Sequence, residues 1–228
     1  MAKRRAGDAF GESYTFPGGV VDDDEALACR HVAGRTAEEA DRLFGEAEGL
    51  RYYSAAIREL FEETGILLAR EKRNGAACDI ASLSAFRRSI DRGRLAWSDF
   101  LQQNQLVMAC DSLHHFAHWE TPTVLPKRWS TRFFLARMPE GQEASLDSNE
   151  LTDICWMPAI DILRASRDGL MRLPYPTMRI LKDLADFSTI GEMLDWADAL
   201  STRQIEKILP VRITKDGKTK WLIKGVAE

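Results

Sequence analysis

The chain has 228 residues, of which 45% are hydrophobic and 29% charged, with a net charge of −4. That length and balance suit one soluble globular domain, spanning 1–228, with appendages. The small negative charge gives no electrostatic case for nucleic acid or an anionic membrane, and no apolar run reaches the length of a membrane span.

The first fifteen residues are polar and carry no strand pattern. Lys3-Arg4-Arg5 reads as solvated surface, and no apolar stretch follows to make a signal peptide. A glycine-rich segment comes next, Phe16-Pro17-Gly18-Gly19-Val20-Val21, followed by Asp22-Asp23-Asp24-Glu25. The three aspartates read as a solvated turn. Residues 36–48 predict a short amphipathic helix with Leu43 and Phe44 on its apolar side. Residues 52–64 predict a longer helix that ends at Gly65, with Ala56 and Leu60 among its buried positions.

Residues 79–90 and 97–104 predict two further helices, the second with Ser98 as N-cap. Arg87-Arg88 reads as solvated surface. Residues 113–119, 130–138 and 151–156 are rich in aromatic and β-branched side chains and predict strands. Residues 158–167 predict a helix with proline in its first turn, and 176–187 and 190–200 two more. Residues 211–214 and 221–224 flank Lys215-Asp216-Gly217-Lys218, whose Asp-Gly pair predicts a hairpin. Together these elements predict an α/β fold, a mixed sheet sandwiched between helices, with extra C-terminal helices and a hairpin. Cys29, Cys78, Cys110 and Cys155 lack zinc-ligand spacing and read as reduced structural thiols of a cytoplasmic protein. His114, His115 and His118 fall in a strand pattern and read as structural.

The chemistry concentrates in Arg58-Glu59-Leu60-Phe61-Glu62-Glu63-Thr64-Gly65-Ile66. On a helix, Glu59, Glu62 and Glu63 share one face at spacings of three and four. Like charges so close repel one another. A hard divalent ion such as Mg²⁺ or Mn²⁺ turns that repulsion into binding, because it takes carboxylate oxygens and substrate phosphates.

Gly19-x5-Glu25 and the Arg58 to Ile66 string together resemble the Nudix box, Gx5Ex7REUxEExGU with U aliphatic, at every fixed position. The spacing departs from the signature at one place. Residues 26–57 separate Glu25 from Arg58 where the signature has seven positions, and the excess is assigned to an insertion at 26–50. The acyl-coenzyme A diphosphatase branch of the superfamily is similar in carrying a box split after a Phe-Pro-Gly-Gly-Val segment. His118-Trp119-Glu120-Thr121-Pro122-Thr123, Arg132-Phe133-Phe134-Leu135, and Glu150 before Trp156-Met157 also look like that branch.

The resemblance implies the Nudix fold and a diphosphatase dependent on Mg²⁺ or Mn²⁺. It would act on a nucleotide-containing small molecule, with coenzyme A or acyl-CoA favoured. ADP-ribose, NADH and diadenosine polyphosphates are alternatives, as is a non-catalytic binding module of the same fold. It implies Glu59, Glu62 and Glu63 as metal ligands, joined by the backbone carbonyl of Gly19. Arg58 would orient a box carboxylate, with Glu25 as its partner or as a helper at the site. The general base would be a box glutamate or Glu150, with Glu120 in a pocket wall. Trp119, Phe133 and Trp156 either stack an adenine or belong to the core. Oligomeric state, a homodimer included, is left open.

Nudix domains open with one or two strands before the glycine loop. Here the start is either truncated or replaced by another segment of the sheet. The insertion is expected to loop out, dispensable for metal binding and active in substrate choice. Failure to fold without it would instead place it in the core. Residues 189–228 are expected to be a C-terminal extension that caps the pocket or completes the core.

Overall fold

The computed structural model describes residues 1–7, 11–146, 151–200, 202–215 and 218–223, the last strands from 213 to 222 as backbone. The chain opens with strand β1 (Ala2–Arg4) and β2 (Tyr14–Thr15), then helix α1 (Glu25–Ala28), β3 (Val32–Ala33) and α2 (Ala37–Phe44). Helix α3 (Leu50–Thr64) carries the carboxylate string. β4 (Ala69–Glu71), α4 (Ile80–Leu83), α5 (Arg87–Asp91), α6 (Trp97–Gln103) and β5 (Leu106–Ala109) follow. Then come β6 (His114–Glu120), β7 (Ser130–Leu135), β8 (Leu151–Ile154), α7 (Ala159–Arg167), α8 (Tyr175–Leu184) and α9 (Ile190–Leu200). The described chain closes with β9 (Lys207–Ile208) and the pair β10 (Val211–Lys215) and β11 (Lys218–Leu222). The predicted hairpin is present as antiparallel β10 and β11. Its turn, Asp216-Gly217, lies outside the described residues.

The strands form three-stranded sheets ordered β2-β1-β8, β3-β5-β4 and β7-β6-β9. The last two are mixed, because β3 runs parallel to β5 and β9 parallel to β6. Helices cover them, as the α/β reading requires.

The N-terminus corrects the sequence reading. Its polar residues do form a strand. β1 pairs antiparallel with both β2 and β8, and the Met1 amine donates to the Cys155 carbonyl at 2.9 Å. A strand of three residues is too short to show alternation, and one of its two partners is distant in sequence, with Ala2 opposite Ile154 of β8. Residues 69–71 and 106–109 are likewise strands too short for the pattern to reveal.

The insertion is corrected as well. Its α2 has a full capping box, with Thr36 and Glu39 each accepting from the other's backbone N–H, and it ends on left-handed Gly45. Ala28, Ala40, Leu43 and Phe44 are buried, and β3 adds a strand beside β5. Ala28, Ala40 and Phe44 share one core cluster with Tyr53, Ile57 and Phe61 of α3. The segment therefore packs into the main core through these residues.

On α3 the fully buried stripe is Tyr53, Ile57 and Phe61, spaced four apart. Ala56 and Leu60 are only half-buried at its margin. Phe61 stacks on Phe100 of α6 at 5.5 Å between centroids. This packing fixes the rotation of α3 and leaves Arg58, Glu59 and Glu63 facing the glycine loop, with Glu62 beside Arg58. A second cluster joins Phe116 and Trp119 of β6 to Ile180, Leu184 and Ala197, so α9 completes a core.

Candidate active site

Helix α3 brings Arg58, Glu59, Glu62 and Glu63 to one side, and the loop through Gly18 to Val20 lies across them. Arg58 is the hub. Its Nε donates to Glu25 at 2.7 Å, and its Nη1 to both Glu59 at 2.9 Å and Glu62 at 3.0 Å. Its Nη2 donates to the Val20 carbonyl at 2.8 Å. One planar guanidinium thus ties the first box glutamate, two helix carboxylates and the glycine loop together. Burial would lower the Arg58 pKa, but Glu59, Glu62 and Glu25 outweigh it and hold the group above its ordinary value.

Glu25 is fully buried and also accepts from the Ser54 hydroxyl. Burial raises its pKa, while the bonds from Ser54 and Arg58 oppose the rise. Burial likewise pushes Glu62 up to about 7 against the pull of Arg58, with Glu59 adding repulsion. A divalent ion nearby would reverse that direction, since positive charge favours the carboxylate.

Glu63 faces the glycine loop. Its Oε2 accepts from the Gly18 amide at 2.9 Å, and its Oε1 lies 3.3 Å from Arg4 Nη2. Arg4 also donates to the Gly18 carbonyl at 2.8 Å. Gly18 has φ of 149°, a backbone conformation that side chains disfavour, so its amide can turn to the helix. Gly19 lies against Glu59, where any Cβ would overlap the carboxylate. The glycine loop and the helix carboxylates are therefore in direct contact.

Arg4 was not legible as a site residue. Its strand, β1, carries it to the loop, which corrects the reading of Lys3-Arg4-Arg5 as plain surface. Arg87 is a similar correction. It is buried, donates Nε to the Glu62 carbonyl at 2.8 Å, and so ties down the last turn of α3. Of the aspartates, Asp22 and Asp23 are exposed, but Asp24 accepts from the Ser98 amide at 2.8 Å and hydroxyl at 2.6 Å. Ser98 therefore is not the cap of α6. It is a donor to a cap supplied from α1's side of the fold.

Glu150 lies outside the described residues. Glu120 pairs with Arg128 at 3.3 Å. Trp119 is core, edge-on to Tyr175. Phe133 packs edge-on to Phe16, and Trp156 is 69% exposed. His118 Nε2 contacts the Ser130 hydroxyl at 2.8 Å, and His114 Nδ1 contacts Asp198. Among the described residues, no three His, Cys, Asp or Glu side chains gather into a group that could hold a metal ion. Glu59 and Glu62 are drawn to Arg58, and Glu63 to Gly18. No helix among the described residues is long and apolar enough to cross a membrane.

Residues 30–184 match the family model of the NUDT19 Nudix domain. That match includes Arg58 to Ile66 and leaves Gly19 and Glu25 just before its start. The chain is 25% identical over 170 residues to the acyl-coenzyme A diphosphatase NUDT19 of Xenopus laevis, covering 68% of this chain and 45% of that protein. It is 24% identical over 186 residues to the putative nudix hydrolase 7 of Caenorhabditis elegans, covering 81% and 52%. For the human acyl-coenzyme A diphosphatase NUDT19 the figures are 24% over 184 residues, 75% and 48%. The chain thus spans about half the length of the curated relatives it matches. In structure it is similar to a Nudix hydrolase from Alicyclobacillus acidocaldarius, with a TM-score of 0.70, 26% identity, and 90% and 88% of the two chains covered. The split box of the sequence, assembled in space around Arg58, and these likenesses agree: the chain belongs to the Nudix hydrolases, in the family of the NUDT19 Nudix domain.

Proposed function

We propose that this protein hydrolyses the diphosphate bond of a nucleotide-containing small molecule with the help of Mg²⁺ or Mn²⁺. One observation carries the reading. Arg58 gathers Glu25, Glu59, Glu62 and the Val20 carbonyl on a single guanidinium beside the Gly18–Gly19 loop. A merely solvated acidic helix has no use for a buried arginine that sets carboxylate rotamers.

The residues suit a hard divalent ion in donor type. Glu59, Glu62 and Glu63 would hold it, with the Gly19 carbonyl as a further oxygen donor, and the overlap of a Cβ at Gly19 with Glu59 explains why glycine stands there. An ion would compete with Arg58 and Gly18 for these oxygens. When bound, it supplies charge neutralisation on the diphosphate and acidifies a water. The chain's own residues place the carboxylates. Arg58 orients Glu59 and Glu62, Gly18 and Arg4 orient Glu63, and Arg87 fixes the end of the helix. Glu150 is retained as one choice for the general base, beside a box glutamate.

Among substrates, coenzyme A and acyl-CoA are favoured, and the split box with two NUDT19 relatives supports that choice. The products would be 4′-phosphopantetheine, acylated or free, and adenosine 3′,5′-bisphosphate. Assay of CoA, an acyl-CoA, ADP-ribose, NADH and a diadenosine polyphosphate with each metal tests it. Highest kcat/KM on the CoA pair is expected, and preference for ADP-ribose or NADH would overturn the substrate.

A further inference from the structure

The box of this chain is split, so Glu25 is not held near Arg58 by the chain itself. Something else must fix it. Glu25 and its neighbour Asp24 are both tied to the first two residues of α6. Asp24 accepts from the Ser98 amide and hydroxyl. Trp97 donates its indole Nε1–H to the Ser54 hydroxyl oxygen at 3.2 Å, and Ser54 donates its hydroxyl to Glu25. Glu25 then accepts from Arg58 Nε. Trp97, Ser54 and Glu25 are all buried.

We propose that Trp97 and Ser54 are positioning residues of the site, acting through Glu25 to fix the Arg58 guanidinium and hence Glu59 and Glu62. The order of the chain is donor to acceptor throughout: indole N–H, serine hydroxyl, Glu25 carboxylate. In it Ser54 has one proton to give and spends it on Glu25, because the indole N–H can only donate and fills the serine's acceptor side. Rotation of the Ser54 hydroxyl away from Glu25 would therefore leave a fully buried carboxylate oxygen without its donor, at a cost typical of an unsatisfied buried group. The Asp24–Ser98 contact fixes the same two segments in register. Two adjacent carboxylates on one side and two adjacent residues on the other make a clamp that a short box would not need. This proposal rests on the reading of the site as a diphosphatase only for its kinetic consequence. Its structural consequence, the placement of Arg58, stands apart from activity.

The test uses Ser54→Ala, Trp97→Phe and the double variant of the full chain. Trp97→Phe keeps an aromatic ring to stack on Phe100, which lies 5.3 Å away, and removes the donor together with part of the buried ring. Ile90→Val, a core change with no hydrogen bond to the network, gives the baseline for loosened packing. Two readouts are taken: the Arg58 Nε–H resonance by ¹⁵N NMR, assigned by its loss in Arg58→Lys, and kcat with KM separately. Both single variants are expected to move the Arg58 resonance while Ile90→Val does not. They should lower kcat about tenfold, as loss of one buried hydrogen bond implies, with KM unchanged. The double variant should be no worse than the sum of one break in a single chain, that is, close to either single. An Arg58 resonance unmoved in both single variants overturns the proposal, whatever happens to melting temperature or turnover. If the resonance moves and the wild-type protein hydrolyses no diphosphate, the positioning stands and the functional reading falls. Should Ser54→Ala not fold, Trp97→Phe decides alone.

Discussion

Arg58 donates Nε–H to Glu25 at 2.7 Å across 33 positions of sequence, and both side chains are buried. The pair closes the split in the box. It also makes Arg58 a stability residue and a site residue together. Arg58→Ala leaves Glu25 buried with no cation, a class of change costing about 3–5 kcal/mol. For a chain of this size, that lowers Tm by roughly 10 °C. Turnover should fall with it, and Arg58→Lys should recover only part, since an ammonium cannot reach Glu25, Glu59, Glu62 and Val20 at once. Thermal melts and steady-state rates on both variants check this. A Tm equal to wild type would rule out that double role for Arg58.

The insertion is expected to behave as core. Phe44 is packed by Tyr52, Tyr53, His115 and Phe134 at 4.8–6.3 Å between centroids. Phe44→Ala should cost about 3–5 kcal/mol in urea unfolding. Removal of residues 26–50 should abolish the cooperative transition. A shortened chain that still unfolds cooperatively would return the segment to the status of a surface loop.

Much of the site was legible because it is local. Helical spacing alone sets Glu59, Glu62 and Glu63 on one side and capping chemistry alone marks Gly65, while Gly19 was marked by the resemblance to the box. What was not legible depends on contacts distant in sequence. Arg4 reads as one of three basic residues in a polar start, and only the pairing of β1 with β8 sends it to Glu63. Arg87 reads as surface from its neighbour Arg88, yet its target is a backbone carbonyl that any residue could offer. The capped helix within the insertion could be read from Thr36 and Glu39, but nothing in that helix tells where Leu43 and Phe44 pack. Short strands such as β3, β4 and β5 fall below the length at which alternation appears.

Acid should destabilise the protein through two buried histidines. Burial first, then His118 and Arg132, lowers the His115 pKa to about 3. Burial, then Arg132 and Lys207, lowers that of His118 to about 4. Unfolded, each returns toward 6.5. Below 6.5 the unfolded chain binds protons that the folded chain refuses. Stability is therefore full above that pH and declines as pH falls toward 4, by up to about 1.4 kcal/mol per pH unit for each histidine. Urea midpoints between pH 7.5 and 4.5 measure it. His115→Gln with His118→Gln should flatten the slope, and an unchanged slope would assign acid sensitivity elsewhere.

Carboxylate chemistry should matter more than carboxylate shape. Glu63→Gln keeps volume and one acceptor for the Gly18 amide, and Glu62→Gln keeps one for Arg58. Each is expected to lose roughly a thousandfold in kcat, as several kcal/mol of transition-state stabilisation implies, with a small change in Tm. Near wild-type kcat in both would mark the helix face as plain surface.

The most direct test of metal-assisted diphosphate hydrolysis follows CoA by ³¹P NMR with Mn²⁺ or Mg²⁺, with and without EDTA, beside Glu63→Gln. Loss of the diphosphate signal and appearance of two new phosphomonoesters, beside the 3′-phosphate that CoA already carries, are expected only with metal and only in the wild-type protein. Full turnover in EDTA after verified metal removal, or equal turnover by Glu63→Gln, would contradict it.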